Sequence, residues 1–195
     1  MQKIVLASGN HGKLKEFQLL LGNCGFEIIP QSDFGMPEAA ETGLSFVENA
    51  IIKARNAARH TGLPAIADDS GLEVDVLNGL PGIYSARFAG SEANDQTNNK
   101  KLLADLQETT EDERTARFQC SLVFMRHEND PTPLVCQGTW EGQILFAARG
   151  NNGFGYDPLF FVPEKNCSSA ELLPEVKNSI SHRGKAMAML LNHWR

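Results

Sequence analysis

The sequence predicts a mixed α/β fold, and three observations lead to that prediction. Over the first third of the chain, short β-branched runs alternate with stretches whose apolar residues recur at helical spacing, as in βα units. Later, two strand-like runs flank a segment rich in turn residues, which is typical of an antiparallel hairpin and indicates a second lobe. No repeat or flexible linker interrupts the 195 residues, so we expect one domain, 1–195, with two lobes.

Strands and helices alternate in the first half of the chain. Apolar periodicity and the turn residues between runs define the elements there. After the second helix, Asp68, Asp69, Ser70 and Gly71 predict an acidic turn between two short strands. The expected elements are strands at 3–8, 26–30, 65–67 and 72–76, a helix at 13–21 and a helix from near Ser45 to Gly62.

The second half of the chain is richer in strands. We expect hairpin strands at 116–126 and 134–140, and 142–146 extends the same sheet. The charged segment 108–114 is expected to be a solvated surface connection. The other expected elements are a helix at 95–106, a glycine and asparagine loop at 150–155, a strand at 159–162 and a final helix at 179–194.

The composition argues against several classes of protein. The chain has 18 Lys and Arg residues and 24 Asp and Glu residues, which gives a net charge of −6. A surface that coats nucleic acid is therefore not expected. No apolar run is long enough for a signal peptide or a membrane span. The cysteines lack metal-ligand spacing, and we expect free thiols in a cytoplasmic protein. They are Cys24, Cys120, Cys136 and Cys167.

A phosphate site is predicted where the first strand gives way to the first helix. Glycines let backbone N–H groups approach an anion, the helix N-terminus adds positive potential, and Lys13 adds a mobile charge. The spacing is not that of a P-loop, because only two residues separate the glycines and Leu14 follows the lysine. An ordinary turn with a surface lysine is the alternative. The candidate residues are Ser8, Gly9, Asn10, His11, Gly12 and Lys13.

A second candidate site is acidic. Glu38 and Glu41 lie in a loop, Glu48 lies in a helix, and Asp68 and Asp69 follow a core strand. Carboxylates at strand ends suit Mg²⁺, which takes few protein oxygens together with substrate phosphates. Successive strand residues point to opposite faces, so Asp68 and Asp69 share one site only if the chain turns there. A turn without a ligand is the alternative.

The glycine-rich segment 150–158 is a third candidate. Its spacing is not that of a dinucleotide-binding loop, and Pro158 follows it in place of a helix. Phe154 and Tyr156 offer aromatic faces for stacking on a base, and Asp157 offers an acceptor for a base edge. A glycine-rich hairpin with core aromatic residues is the alternative.

The densest basic cluster begins the last helix. Ser179 or Ser181 can cap that helix, whose positive N-terminus then adds to the charge of the cluster. A capped and solvated helix start is the alternative. The basic residues are Lys177, His182, Arg183 and Lys185.

Taken together and in this order, these motifs resemble the inosine triphosphate pyrophosphatase family. The resemblance spans essentially the whole chain, and Ser8 departs from it, because the family usually has Thr at that position. Any one motif is weak, whereas six in the same order are specific. The matching segments are 8–13, 41–43 together with 48–50, 67–72, 81–87, 153–158 and 181–183.

The resemblance implies an activity and an architecture. The activity is hydrolysis of deaminated purine nucleoside triphosphates (dITP, ITP and XTP) to the monophosphate and pyrophosphate, with Mg²⁺ as the cofactor. The architecture is an elongated mixed sheet with flanking helices, which form two lobes around a central cleft. The family also implies a homodimer that acts on small nucleotides, and we expect no nucleic-acid or membrane partner.

Residue roles carry over from this resemblance by position. Glu41, Asp68 and Asp69 would hold the metal, and Asp69 would also be the general base. Residues 8–13 would bind the triphosphate together with Lys53. The remaining nucleotide-binding residues would be Ser70, Phe154, Gly155, Tyr156, Asp157, Lys177, His182 and Arg183.

Two other functions compete with this one. A nucleotide-binding sensor with little or no turnover is disfavoured by the intact pair of Asp68 and Asp69 together with Lys13. A pyrophosphatase for pyrimidine or modified nucleotides is disfavoured by the segment 181–183, to which the resemblance gives a base-reading role.

Overall fold

The described strands form a single seven-stranded sheet. The computed structural model describes residues 2–22 and 25–194, and within them seven strands have the order β2-β1-β3-β4-β5-β6-β7. The strands are β1 (Gln2–Leu6), β2 (Phe26–Pro30), β3 (Ala65–Val74), β4 (Thr115–Met125), β5 (Leu134–Ile144), β6 (Phe160–Val162) and β7 (Cys167–Ser168). The α-helices in the same ranges are α1 (His11–Leu21), α2 (Phe46–Thr61), α3 (Asp95–Asp105), α4 (Pro174–Ile180) and α5 (His182–His193).

The strand directions make the sheet mixed, which confirms the predicted fold class. β1 runs parallel to β2 and to β3, whereas β6 runs antiparallel to β5 and β7. In the β1–β3 register, Leu6 lies opposite Ile66, and the Ala7 amide donates to the Ile66 carbonyl at 2.8 Å. β1 therefore ends beside the first residues of β3, and the loop that follows β1 begins just before the level of Asp68.

The chain divides into two compact units. The first unit contains the described residues of Met1–Asp69, Cys120–Gly138 and Arg183–Arg195, and the second contains Ser70–Gln119 and Thr139–His182. The chain passes from one unit to the other within β3, β4 and β5, and again at the start of α5.

The first unit packs helices against its part of the sheet. Ser45 caps the N-terminus of α2, because its hydroxyl accepts from the Glu48 amide at 3.4 Å. Gly62 terminates the helix in a left-handed conformation with φ 66°. The small side chains on the buried face of α2 let it lie close to the strands. That face consists of Ala50, Ala54, Ala57 and Ala58, which cluster with Val5, Ala65 and Val123. A second cluster joins α1 and α5 to the strands through Phe17, Leu21, Met187, Leu190, Ile4 and Leu122.

The second unit has an aromatic core. Phe118 and Phe160 lie with ring centroids 4.6 Å apart, and Trp140 lies 5.1 Å from Phe160. Leu72 and Leu102 are fully buried in the same cluster, which fixes β3 and α3 to this core.

The predicted acidic turn at 68–71 is wrong, because β3 is one continuous strand from Ala65 to Val74. β3 lies between β1 and β4 in the sheet, so tertiary pairing keeps Ser70 and Gly71 extended despite their turn preference. Asp68 and Asp69 are consequently neighbours in a strand.

Three other predicted elements also differ from the structure. The final helix is two helices, since Ser181 is extended with ψ 163° and separates α4 from α5. The segments 134–140 and 142–146 do not remain separate, because β5 runs without interruption from Leu134 to Ile144. The charged connection 108–114 is not wholly solvated, because Arg114 is 2% exposed at its end.

Three of the predicted thiols lie in the described part of the chain. Cys120, Cys136 and Cys167 are free, whereas Cys24 lies outside the described residues. Burial raises the pKa of the Cys120 thiol to about 12, which makes it unreactive. No helix in the described ranges has the length and apolar character needed to cross a membrane.

Candidate active site

The predicted phosphate loop forms the start of α1. Asn10 caps the helix, because its Oδ1 accepts from the Lys13 amide at 3.0 Å, and the Asn10 amide is itself 3.2 Å from the Ser8 hydroxyl. A Cβ atom at Gly9 would lie 2.4 Å from Glu38 Oε1, so glycine suits this position. His11 and Gly12 occupy the first turn. All six predicted residues therefore lie in one loop and helix N-terminus.

Lys13 points from this helix to β3. Its Nζ lies 3.0 Å from Asp68 Oδ2, and both side chains are largely buried. Burial lowers the pKa of Lys13, and the nearby charge of Asp68 offsets only part of that effect.

A second cation, Arg183, contacts Asp68 at the same oxygen. The Arg183 guanidinium donates to Asp68 Oδ2 from Nε at 3.2 Å and from Nη2 at 3.0 Å, and it also donates from Nη1 to Glu16. Burial opposes ionisation of Asp68, but the charges of Lys13 and Arg183 outweigh it and hold the pKa of this carboxyl below its usual range. Asp68 Oδ1 is buried and has no hydrogen-bond partner among the described residues.

Asp69 faces a different helix. Lys53 of α2 donates to Asp69 Oδ1 at 2.7 Å and to Glu41 Oε1 at 2.9 Å, so one ammonium group bridges two carboxylates. Asn49, also on α2, donates to Asp69 Oδ2 at 3.4 Å. Burial raises the pKa of Asp69 above its ordinary value, and the charges of Lys53 and Lys13 only partly compensate.

The strand alternation explains why the two aspartates have different partners. Successive residues of a strand point to opposite faces. Accordingly, Asp68 contacts α1 and α5, whereas Asp69 contacts α2. In the described ranges no group of three or more His, Cys, Asp or Glu side chains is placed to hold a metal ion, and Lys53 lies between Glu41 and Asp69.

In the second unit, Asp157 organises the glycine-rich loop. Its Oδ2 accepts from the Phe154 amide at 2.9 Å and from Lys177 Nζ at 2.6 Å, and its Oδ1 accepts from the Ser169 hydroxyl at 2.8 Å. Gly153 has φ 76°, and a Cβ there would lie 2.0 Å from Asp157 Oδ2. Lys177 Nζ also lies 5.0 Å from the centre of the Phe154 ring.

His182 and Tyr156 are held by other parts of the same unit. The His182 ring stacks on Phe118 at a centroid distance of 4.8 Å and is 5% exposed. The Tyr156 hydroxyl donates to the Ser85 carbonyl at 2.8 Å, and burial raises the pKa of this phenol. Ser70 follows Asp69 in β3 and is half-buried.

The structure thus groups the predicted site residues in two sets. The first unit brings together Lys13, Lys53, Glu41, Asp68, Asp69 and Arg183, with the loop 8–12 at the start of α1. The second unit brings together Phe154, Asp157 and Lys177. The sequence predicts Arg183 beside Lys177 and His182, whereas in the structure Arg183 forms ion pairs with Asp68 and Glu16.

Sequence reasoning missed two polar residues of the first set. Glu16 lies one turn after Lys13 in α1, and this spacing places both on one helix face. Asn49 is fully buried and joins Asp69 to the Gly43 amide, which it accepts at 2.9 Å. A polar residue directly before the alanines of a buried helix face is a signal that could have identified Asn49.

Comparison with known proteins identifies the family. The sequence profile of the Ham1 family matches residues 4–193. A dITP/XTP pyrophosphatase from Vibrio parahaemolyticus is 66% identical over 190 residues, which cover 97% of this chain and 95% of that protein. A dITP/XTP pyrophosphatase from Salmonella paratyphi A is 57% identical over 195 residues, 100% of this chain and 99% of that protein.

Solved structures agree with the sequence comparison. The HAM1 protein from Coxiella burnetii matches with a TM-score of 0.92 and 51% identity, covering 99% of this chain and 98% of that one. A nucleoside-triphosphatase, or dITP/XTP pyrophosphatase, from Mycobacterium abscessus matches with a TM-score of 0.76 and 42% identity, covering 97% and 99%. A match of this extent in both sequence and fold shows that the chain belongs to the Ham1 family.

Proposed function

We propose that this protein is a nucleoside-triphosphate pyrophosphatase that hydrolyses dITP, ITP and XTP to the monophosphate and pyrophosphate. The observation that carries the proposal is the buried charge cluster of the first unit, in which Lys13, Lys53 and Arg183 surround Asp68 and Asp69. The relatives named dITP/XTP pyrophosphatase support the substrate class. Such an activity removes deaminated purine nucleotides from the pool before they enter DNA or RNA.

The triphosphate is assigned to the first unit. Within the loop 8–13 at the start of α1, the backbone N–H groups of Gly9, His11 and Gly12, with the Ser8 and Asn10 side chains, suit phosphate oxygens. Lys13 and Lys53 supply positive charge there, and each is already oriented by a carboxylate. In a chain of net charge −6, this local concentration of cations allows an anionic substrate to bind.

Asp69 is the proposed general base. A base that works near neutral pH benefits from a pKa above that of an ordinary aspartate, and burial shifts Asp69 in that direction. Lys53 and Asn49 hold its two oxygens, so its orientation is defined before substrate arrives. A carboxylate that accepts a proton from water can support hydrolysis without a covalent intermediate on the protein.

We further propose Mg²⁺ as the cofactor, on the chemistry of the acidic residues and not on their present arrangement, in which no three described carboxylates are placed to hold a metal. The donor set consists of hard carboxylate oxygens, and the buried Asp68 Oδ1 has no protein partner in the described residues. Asp68, Asp69 and Glu41 would hold the ion once Lys53 leaves its position between Glu41 and Asp69. When bound, a Mg²⁺ ion neutralises phosphate charge.

The second unit is assigned to the nucleoside. The Phe154 ring offers a face for the base, and Lys177 and His182 offer donors for a 6-oxo group, whereas a 6-amino group would leave such donors unpaired. Asp157 accepts from three groups of its own unit, which favours a role in shaping this loop over direct base reading. Ser70, Gly155, Tyr156 and Arg183 complete the proposed nucleotide contacts.

We further propose a cytoplasmic homodimer that acts on free nucleotides and not on nucleic acid. The excess of six negative charges supports the last point, because a surface that coats nucleic acid carries net positive charge.

A product analysis tests the proposed activity. The protein is incubated with dITP, XTP, dATP and dGTP, with and without Mg²⁺, and pyrophosphate is separated from orthophosphate. We expect pyrophosphate and monophosphate from dITP and XTP only when Mg²⁺ is present. Orthophosphate as the first product, or equal turnover of dATP, would contradict the proposal.

A further inference from the structure

The start of α3 holds the glycine-rich loop by its backbone. The Gly155 amide donates to Asp95 Oδ2 at 2.7 Å, and Asn99 Nδ2 donates to the Gly155 carbonyl at 2.9 Å. Asp95 and Asn99 lie four residues apart on α3, hence on one helix face. Two side chains of one helix therefore bind both polar groups of a single residue, which itself has the left-handed φ of 61°.

α3 is itself anchored by further contacts of its N-terminal residues. Asn94 and Thr97 form a reciprocal cap at its N-terminus, with bonds of 3.0 and 2.9 Å. The buried Asn98 accepts from the Ala89 amide at 2.8 Å and donates to the Ala86 carbonyl at 3.1 Å. The helix is thus fixed to residues 86–89, and its N-terminal side chains have a defined position.

The same segment holds the residue after Gly155. The Tyr156 hydroxyl donates to the Ser85 carbonyl at 2.8 Å, and Ser85 directly precedes the residues that bind Asn98. On the other side of the loop, Asp157 binds the Phe154 amide. Phe154 is therefore held at its own amide by Asp157, and the residue that follows it is held by α3.

We propose that Asp95 and Asn99 are positioning residues for nucleotide recognition, which act by fixing the Gly155 backbone so that Phe154 is ready to receive a purine base. This inference rests on the proposed function. A glycine-rich loop has much conformational freedom to lose on binding, and prior ordering by two side chains removes part of that cost. Because neither residue belongs to the first-unit charge cluster, their loss affects substrate affinity and base selectivity more than kcat.

The test compares Asp95→Ala and Asn99→Ala with wild-type protein in steady-state hydrolysis of dITP and dATP with Mg²⁺. We expect Asp95→Ala to raise the KM for dITP about tenfold, as for loss of one charge-assisted hydrogen bond. The ratio of kcat/KM for dITP to that for dATP should fall by a comparable factor, while kcat stays within about twofold. Asn99→Ala should act in the same direction and more weakly.

Two further variants separate positioning from general damage. Asp95→Asn keeps an oxygen that can accept from the Gly155 amide, and it should recover most of the selectivity. Asp105→Ala is the matched control, because Asp105 lies at the other end of α3 and pairs with Lys101 at 2.9 Å on the surface. It should leave KM and the selectivity ratio unchanged.

The possible outcomes distinguish failure of this inference from failure of the proposed function. An active wild type whose Asp95→Ala and Asn99→Ala variants keep KM and the dITP to dATP ratio would overturn this inference alone. If Asp95→Ala does not fold, Asn99→Ala decides, since it changes no charge. A wild type without pyrophosphate release from dITP would overturn the proposed function and, with it, this inference.

Discussion

Asp68 and Arg183 form a buried ion pair in which two guanidinium nitrogens, Nε at 3.2 Å and Nη2 at 3.0 Å, donate to the single oxygen Oδ2. Lys13 approaches the same oxygen at 3.0 Å, and Glu16 balances Arg183 from the other side. One carboxylate oxygen thus orients two cations and leaves Oδ1 without a protein partner in the described ranges. This arrangement explains how a buried cluster of like charges is tolerated next to the phosphate loop.

Asp68→Asn should destabilise the protein strongly. The variant removes the carboxylate that pairs with both Lys13 and Arg183 and leaves these two cations buried, and breaking such a pair costs about 3 to 5 kcal/mol. Urea unfolding followed by circular dichroism measures the free energy of unfolding. Asp105→Asn is the control, because its surface pair with Lys101 contributes less than about 1 kcal/mol. Similar losses in both variants would contradict the assigned importance of Asp68.

Asp69→Asn should abolish turnover and preserve nucleotide binding. The amide is nearly the same size, and its oxygen can still accept from Lys53, but it cannot take a proton from water at neutral pH. Product release measures turnover, and calorimetric titration with a non-hydrolysable dITP analogue measures binding. Wild-type activity in this variant would remove Asp69 from the role of general base.

The activity should have an acidic limb at higher pH than an exposed aspartate would give. The base must be ionised to accept a proton, and burial raises the pKa of Asp69 above its ordinary value. Activity is therefore present above the raised pKa and falls as the pH drops through it. The profile of kcat/KM against pH measures this limb in the free enzyme. A limb at the ordinary aspartate value of about 4 would show that burial does not control this group.

Arg114→Ala should destabilise the second unit by about 2 kcal/mol, in the range for hydrogen bonds to charged groups. Arg114 donates to the Leu106 carbonyl at 2.6 Å, at the C-terminus of α3, and to the Leu145 carbonyl at 3.2 Å. Its guanidinium also lies 3.9 Å from the centre of the Phe146 ring. Thermal unfolding measures the effect.

Arg117→Ala is the comparison for Arg114→Ala. Arg117 pairs with Asp75 at 2.6 Å and with Glu141 at 3.1 Å, and both carboxylates are substantially exposed. Surface pairs of this kind contribute little. A melting temperature lowered as much by Arg117→Ala as by Arg114→Ala would show that burial of Arg114 has no special effect.

Local signals in the sequence predicted much of the fold. The apolar periodicity of α1 and the β-branched residues of β2 are short-range features, and β2 occupies the predicted 26–30. The N-cap Ser45 and the terminal Gly62 set the ends of α2 from within the same segment. The composition of the phosphate loop and its place before α1 could be predicted for the same reason: each depends on neighbours a few residues away.

Only the tertiary structure decided how the charged residues are partnered. The turn preference of Ser70 and Gly71 yields to pairing within the sheet, so Asp68 and Asp69 point to opposite faces of β3. Arg183 reaches Asp68 across 115 residues, and Glu16 across 167 residues, and no local periodicity encodes such separations. Motif order in the sequence determined which residues belong to the candidate site. Burial and strand alternation determined which carboxylate pairs with Lys13 and Arg183 and which has the raised pKa of a base.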